Sequence, residues 1–205
     1  MVTAVVGAGG KTTLIHALAA RHRAAGRRVL VTTTTHMRRE PGMLLNPTPE
    51  QLTAALETAG YAAAGVPAAE GKIGPLPREV YLAGCAAADE VLVEADGARG
   101  RFVKLPAPHE PVIPENTGEI LLVCNLKAVG LPLETAAHRP ALVGQALQKG
   151  PQERLTADDV EALARRYLAR LRQAWPGRPV RLVVRCDGTP EQQARARRME
   201  REEWQ

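Results

Sequence analysis

Residues 2–13 read VTAVVGAGGKTT. The apolar, β-branched run 2–6 has the composition of a buried strand. It ends at Gly7, and Gly9 and Gly10 precede Lys11, Thr12 and Thr13. From residue 12 to 25, Leu14, Ile15, Leu18 and Ala19 fall on one helical face, and Gly26 supplies a stop. A strand, a glycine turn and a helix in that order make an anion site. Glycines let backbone N–H groups approach phosphate oxygens, and the helix start adds partial positive charge. Lys11 is placed to reach β/γ phosphates, and the Thr12 hydroxyl is of the kind that ligates Mg²⁺. The predicted nucleotide-binding set is therefore Gly7, Ala8, Gly9, Gly10, Lys11, Thr12 and Thr13. The spacing is G-x-x-G-K-T-T, shorter than the usual G-x-x-x-x-G-K-[ST], and Val5 stands where the longer form has its first glycine.

Working outward, strand and helix patterns alternate. Further strands are predicted at 28–34, 90–95, 119–124 and 180–185. Helices are predicted from Thr48, whose Thr-Pro-Glu-Gln run has capping-box form, to Gly60, and over 77–88. Two more follow, from Thr156 to about Ala174 and after Thr189. Continuous apolar strands separated by helices imply an α/β protein, a mostly parallel sheet flanked by helices in three layers. With the phosphate loop this reads as a P-loop NTPase-like fold in a single domain, 1–205. Ligands in such sheets bind beyond the carboxyl ends of strands.

Several polar residues follow strands accordingly. VLVEADGARG, 91–100, ends an apolar strand with Glu94 and Asp96, which point the same way on extended backbone. Asp96 is the expected metal-side acid with Thr12, and Glu94 orients water or substrate. The predicted catalytic set is Lys11, Glu94 and Asp96. VTTTTHM, 31–37, places Thr34, Thr35 and His36 after the second strand, facing a γ-phosphate or substrate. Arg99, Arg101 and Lys104 follow the acidic strand, and His109 and Glu110 lie in a Pro-rich stretch. Three cations beside a phosphate site neutralise developing charge or bind an anionic substrate. Four prolines in 105–118 exclude a regular element and predict a stiff surface loop, so 97–118 reads as a functional loop. At 184–188, VRCDG stands where a guanine-reading N-K-x-D would end a strand. Arg185 and Asp187 occupy the Lys and Asp places, and Val184 replaces the Asn. Asp187 joins the nucleotide-binding set, with ATP and GTP equally open.

Composition narrows the classes. Of 205 residues, 45% are hydrophobic and 3% aromatic, and the net charge is +5. Residues 1–160 hold 16 basic and 16 acidic side chains, so the surplus lies in 161–205, with 11 Arg against 6 acids. Those arginines alternate with acids at helical spacing, which reads as a solvated helix face rather than a nucleic-acid surface. So few aromatics argue against single-strand stacking. Apolar runs fall short of the ~18 residues of a membrane span. The three cysteines, 85, 124 and 186, form no C-x-x-C pair, and the first residues carry no secretory pattern, which together predict a cytosolic protein. Core packing is the expected use of Cys124 and Cys186.

The short G-x-x-G-K-T-T resembles the loop of Mur-type ligases. Taken in order, GAGGKTT, TTTTHM, VEADGARG and KLPAPHEPVIP resemble the selenium-dependent hydroxylase accessory proteins, the YqeC family. His138-Arg139-Pro140 and Leu155-Thr156 are similar too, and the likeness runs from about residue 4 to residue 188. The resemblance implies a cytosolic P-loop-like factor that helps mature selenium-dependent molybdenum hydroxylases. Its cofactors are then Mg²⁺ and ATP or GTP, and its partners are a hydroxylase client or cofactor precursor, with no membrane. Three alternatives remain: a small-molecule kinase or ligase, a nucleotide-sensing module without turnover, and nucleic-acid binding through the final arginines.

Overall fold

The computed structural model describes residues 1–69 and 71–201. The strands are β1 (Val2–Gly7), β2 (Val29–Thr33), β3 (Met37–Arg38), β4 (Leu44–Leu45), β5 (Tyr61–Ala68), β6 (Lys72–Gly74), β7 (Glu90–Glu94), β8 (Val103–Lys104), β9 (Glu119–Asn125), β10 (Ala137–His138) and β11 (Val180–Arg185). The helices are α1 (Lys11–Ala24), α2 (Pro49–Ala59), α3 (Arg78–Ala87), α4 (Leu133–Ala136), α5 (Pro140–Leu147), α6 (Ala157–Ala174) and α7 (Pro190–Arg201). The class is the predicted one, α/β with a large, mostly parallel sheet and flanking helices. Contacts group into two compact units. One comprises Met1–Val5, Thr12–Gly97 and Val112–Glu119, and the other Val6–Lys11, Ala98–Pro111 and Ile120 onward.

In the first unit the strand order is β1-β7-β2-β5-β6-β3. β7 runs parallel to both neighbours, with Glu94 level with Val5 on β1 and Thr33 on β2. β5 continues the parallel set on β2, whereas β6 and β3 are antiparallel additions at the edge. The core gathers Leu30, Leu52, Leu56, Val80, Val91 and Val93, all buried. α2 has the predicted capping box: Thr48 Oγ1 accepts from the Gln51 N–H, and the Gln51 side chain accepts from the Thr48 N–H. At Gly84 on α3 an added Cβ would lie 2.7 Å from Leu30 Cδ2 and 2.8 Å from Leu52 Cδ2. A glycine there lets α3 approach both.

β5 is an element the sequence did not announce. Its YAAAGVPA run is poor in β-branched residues, yet Ala62 to Gly65 are buried. Small side chains suit a strand crowded by its neighbour. A Cβ at Gly65 would meet Ile73 Cδ1 at 2.7 Å. Pairing partners rather than propensity make this strand.

In the second unit β9 and β11 pair in parallel from Ile120↔Val180 to Asn125↔Arg185. β8 and β10 form a short parallel ribbon, Val103↔Ala137 and Lys104↔His138. α6 buries Val160, Leu163, Ala164, Tyr167, Leu168 and Leu171, the i, i+3, i+4 stripe of an amphipathic helix. Thr156 caps it through the Asp159 N–H. Much of the arginine surplus pairs with its acids: Glu161 accepts from Arg165 at 2.7 Å and from Arg195 at 2.8 Å. No helix among the described residues is long and apolar enough to cross a membrane.

Candidate nucleotide site

In the second unit the candidate phosphate loop, Val6–Lys11, is a tight glycine turn. Gly7, Gly9 and Gly10 have φ of +96°, +79° and +128°. These are values that side chains avoid. The loop also lies close against β9: a Cβ at Gly7 would stand 2.1 Å from the Val123 carbonyl oxygen, and one at Gly9 would stand 2.5 Å from Asn125 Cβ. The Ala8 N–H donates to that Val123 oxygen at 2.9 Å. Asn125, the last residue of β9, holds the turn by donating from Nδ2 to the Gly9 carbonyl at 2.7 Å, while its Oδ1 accepts from the Lys127 N–H. Lys11 is buried, and its Nζ donates back across the turn to the Gly7 carbonyl at 2.8 Å.

Arg185, at the end of β11, lies over the same turn. An added Cβ at Gly10 would be 3.2 Å from Arg185 Cγ and 3.6 Å from Nε. Among the described residues its guanidinium makes no hydrogen bond or ion pair. Asp187 follows it in an exposed position.

In the first unit the carboxyl end of β7 meets the first turn of α1 on one side and the end of β2 on the other. The Thr12 hydroxyl, in the first turn of α1, donates to Glu94 Oε2 at 3.1 Å. The Glu94 carbonyl accepts from Thr33 Oγ1 at 2.8 Å and from the Thr34 N–H at 3.1 Å. Thr33 Oγ1 also accepts from the Thr35 N–H at 3.0 Å, which folds the 33–35 turn. The Thr35 hydroxyl is buried and lacks a hydrogen-bond partner among the described residues. Thr34 Oγ1 donates to the Val112 carbonyl at 2.5 Å, tying down the middle of the Pro-rich segment. Asp96 is fully buried two residues beyond β7. Thr13 and His36 are exposed.

The Pro-rich segment is less superficial than a surface loop, since Pro106, Ala107 and Pro111 are buried. Prolines bring no N–H that burial would leave unsatisfied, but their carbonyls still need donors. Arg170 of α6 supplies them, donating to the carbonyls of Pro106 at 2.9 Å, Ala107 at 2.8 Å and Glu110 at 3.1 Å. Lys104 is not a solvated loop cation either. Its side chain is fully shielded and meets Glu110 at 3.0 Å. Arg139 grips the same carboxylate, with Nη2 3.0 Å from Oε1. Burial opposes ionisation of Glu110, but the bonds from Arg139 and Lys104 hold its pKa down to about 2. His109 is exposed. Cys124 is a core thiol, pushed up to about 12 by burial and then by Glu200.

A protein-family model described as YqeC protein matches residues 3–141. The chain belongs to the YqeC family. An uncharacterized protein YqeC of Escherichia coli (strain K12) is 34% identical over 178 residues, 80% of this chain and 67% of that protein. No solved structure matches. The YqeC match takes in the glycine turn, Glu94, Asp96, the Pro-rich segment and Arg139, and it stops before Arg170 and Arg185.

Sequence reasoning missed three supporting residues in this YqeC-family chain. Asn125 had a signal, a polar residue closing an apolar strand. Arg139 had only the His-Arg-Pro resemblance. Arg170 had none, being one of four arginines in α6. Among the described residues, no cluster of three or more His, Cys, Asp or Glu could hold a metal by itself.

Proposed function

We propose that this protein binds and hydrolyses a magnesium nucleoside triphosphate at Gly7–Thr13, and that turnover assists maturation of selenium-dependent molybdenum hydroxylases. The observation that carries the reading is the left-handed glycine turn with Lys11 folded across it, followed in the chain by Thr12 bonded to Glu94. The residues fit a phosphate chain. The first-turn N–H groups of α1 have no intrahelical acceptor and face the helix start. Lys11 and Arg185 bring two cations to the loop.

They fit Mg²⁺ as well. This ion keeps most of its waters and takes one or two protein oxygens beside the phosphates. A three-carboxylate cluster is unnecessary. Bound there, the ion would neutralise charge developing on the transferred phosphoryl group. Thr12 and Glu94 are the pair that would hold it, with Asp96 two residues further. The buried Thr35 hydroxyl is free of described partners and is suited to a phosphate oxygen or a water.

Hydrolysis is tested by phosphate release from MgATP and MgGTP, in the wild type and in Asp96→Asn. Release that needs Mg²⁺ and falls in the variant supports the reading, and its absence with either nucleotide refutes the turnover. Equal affinity for ATP and GTP would remove Asp187 as a base reader.

A second reading, transfer to a small-molecule acceptor, is favoured by one observation. The backbone of Phe102, at the start of the cationic ribbon, packs against the phosphate loop, 2.9 Å from a Cβ built at Gly9. Phosphate appearing on an added pterin-like or selenium compound, and none released without it, would select this reading.

A further inference from the structure

The glycine turn has an aromatic neighbour. The backbone of Phe102 packs on Gly9: a Cβ built there would stand 2.9 Å from the Phe102 carbonyl oxygen and 3.1 Å from its Cα. The Phe102 N–H donates to the Ala136 carbonyl at 2.9 Å, which anchors that backbone to a residue outside the turn. Lys127 closes the arrangement. Its N–H donates to Asn125 Oδ1, and Asn125 Nδ2 donates to the Gly9 carbonyl. Its Nζ stands over the Phe102 ring, 5.8 Å from the centroid. Gly9, Phe102, Lys127 and Asn125 therefore touch in a circuit, all within the second unit.

This ring is poorly explained as core. The chain has one phenylalanine and 3% aromatics, and it leaves that ring half-buried beside the turn instead of filling an interior with it. The cation over it belongs to an exposed lysine. A cation–π contact at an exposed site is weak, and a base stacked on an aromatic side chain is worth more, so an arriving planar ring displaces Lys127. Phosphates held by the turn would bring such a ring with them, because a nucleotide carries its base at the other end of the same small molecule.

We propose that the Phe102 ring is the stacking platform for the base of the bound nucleotide. The proposal rests on the nucleotide reading above and deepens it, by giving the base a partner on the β9 side of the turn. Phe102 meets the π-face of a base and not its hydrogen-bonding edge. Every base has such a face, so the platform serves ATP and GTP alike. The nucleotide's own base is favoured over the ring of a second ligand, because Phe102 touches the turn itself.

The test is isothermal titration of the full chain with MgATP, MgGTP and magnesium tripolyphosphate, in the wild type, Phe102→Leu and Phe102→Tyr. Tripolyphosphate offers the turn its phosphates without a base. Phe102→Leu should weaken both nucleotides about tenfold and leave tripolyphosphate within about twofold. Phe102→Tyr keeps a π-face and should restore the nucleotides. Nucleotide affinities unchanged in Phe102→Leu would overturn the platform. So would an equal loss of tripolyphosphate in that variant, since Phe102 would then only shape the turn. Failure of the wild type to bind any of the three would refute the nucleotide reading, and the platform with it. Binding of all three with no dependence on Phe102 would refute the platform alone, so the two failures are distinct.

Discussion

Glu110→Gln should destabilise the protein, and its cost should depend on pH. The carboxylate accepts from Lys104 at 3.0 Å, from Arg139 at 3.0 Å and from the Ala107 N–H at 3.3 Å. Its side chain is only 9% exposed, and that of Lys104 is 0% exposed. Removing one partner of a buried pair costs about 3–5 kcal/mol. Gln keeps one acceptor oxygen, and Arg139 is 33% exposed, so the low end, about 3 kcal/mol, is expected. A second route agrees. The step from an ordinary 4.5 to about 2 corresponds to about 3 kcal/mol as an upper value, reduced by solvent screening at Arg139. For a chain of this length that lowers Tm by about 6–12 °C. Because the folded pKa is depressed, the wild-type advantage is complete above the unfolded value of 4.5 and is lost as pH falls through about 2. Denaturant melts of wild type and variant at pH 7 and pH 3 measure it, and the gap should shrink by at least half. A loss below about 1 kcal/mol at pH 7, or an equal gap at both pH values, would refute the buried-pair argument.

Gly7→Ala should cost at least about 2 kcal/mol in urea unfolding, since its Cβ would lie 2.1 Å from a backbone oxygen at φ +96°. Gly97→Ala, with nothing within 4 Å, should stay within about 0.5 kcal/mol. Arg185→Ala should weaken nucleotide about tenfold with Tm unchanged, and Arg185→Lys should restore most of it. An unaltered affinity would mean that Arg185 only packs on Gly10. Glu94→Gln keeps an acceptor for Thr12 but loses the charge. It should therefore lower Mg²⁺ affinity in the nucleotide complex by about tenfold to a hundredfold, read by Mg²⁺ titration at fixed nucleotide.

The strand-turn-helix at 2–24, the acidic strand β7 and the caps of α2, α6 and α7 were legible because each depends on local pattern. Thr189, after which the last helix was expected, exchanges capping-box bonds with Gln192 at 3.1 and 3.3 Å. β3 to β6 were not legible. They are short or rich in alanine, and partners distant in sequence define them. The same holds at the site. Glu94 and Lys11 could be read from position after a strand. The roles of Asn125, Arg139 and Arg170 arise only when β9, β10 and α6 bring them to the glycine turn and the Pro-rich segment. The buried state of Lys104 was hidden for a related reason. A lysine among loop residues looks solvated until the carboxylate six residues later folds back on it.

The central claim is that Gly7–Thr13 binds a nucleoside triphosphate through Lys11. Isothermal titration of MgATP and MgGTP into the wild type and Lys11→Ala tests it most directly. The account predicts saturable one-site binding to the wild type by at least one nucleotide, weakened at least about tenfold in Lys11→Ala with the fold intact. Absence of saturable binding by both nucleotides, or equal affinity in wild type and Lys11→Ala, would contradict it.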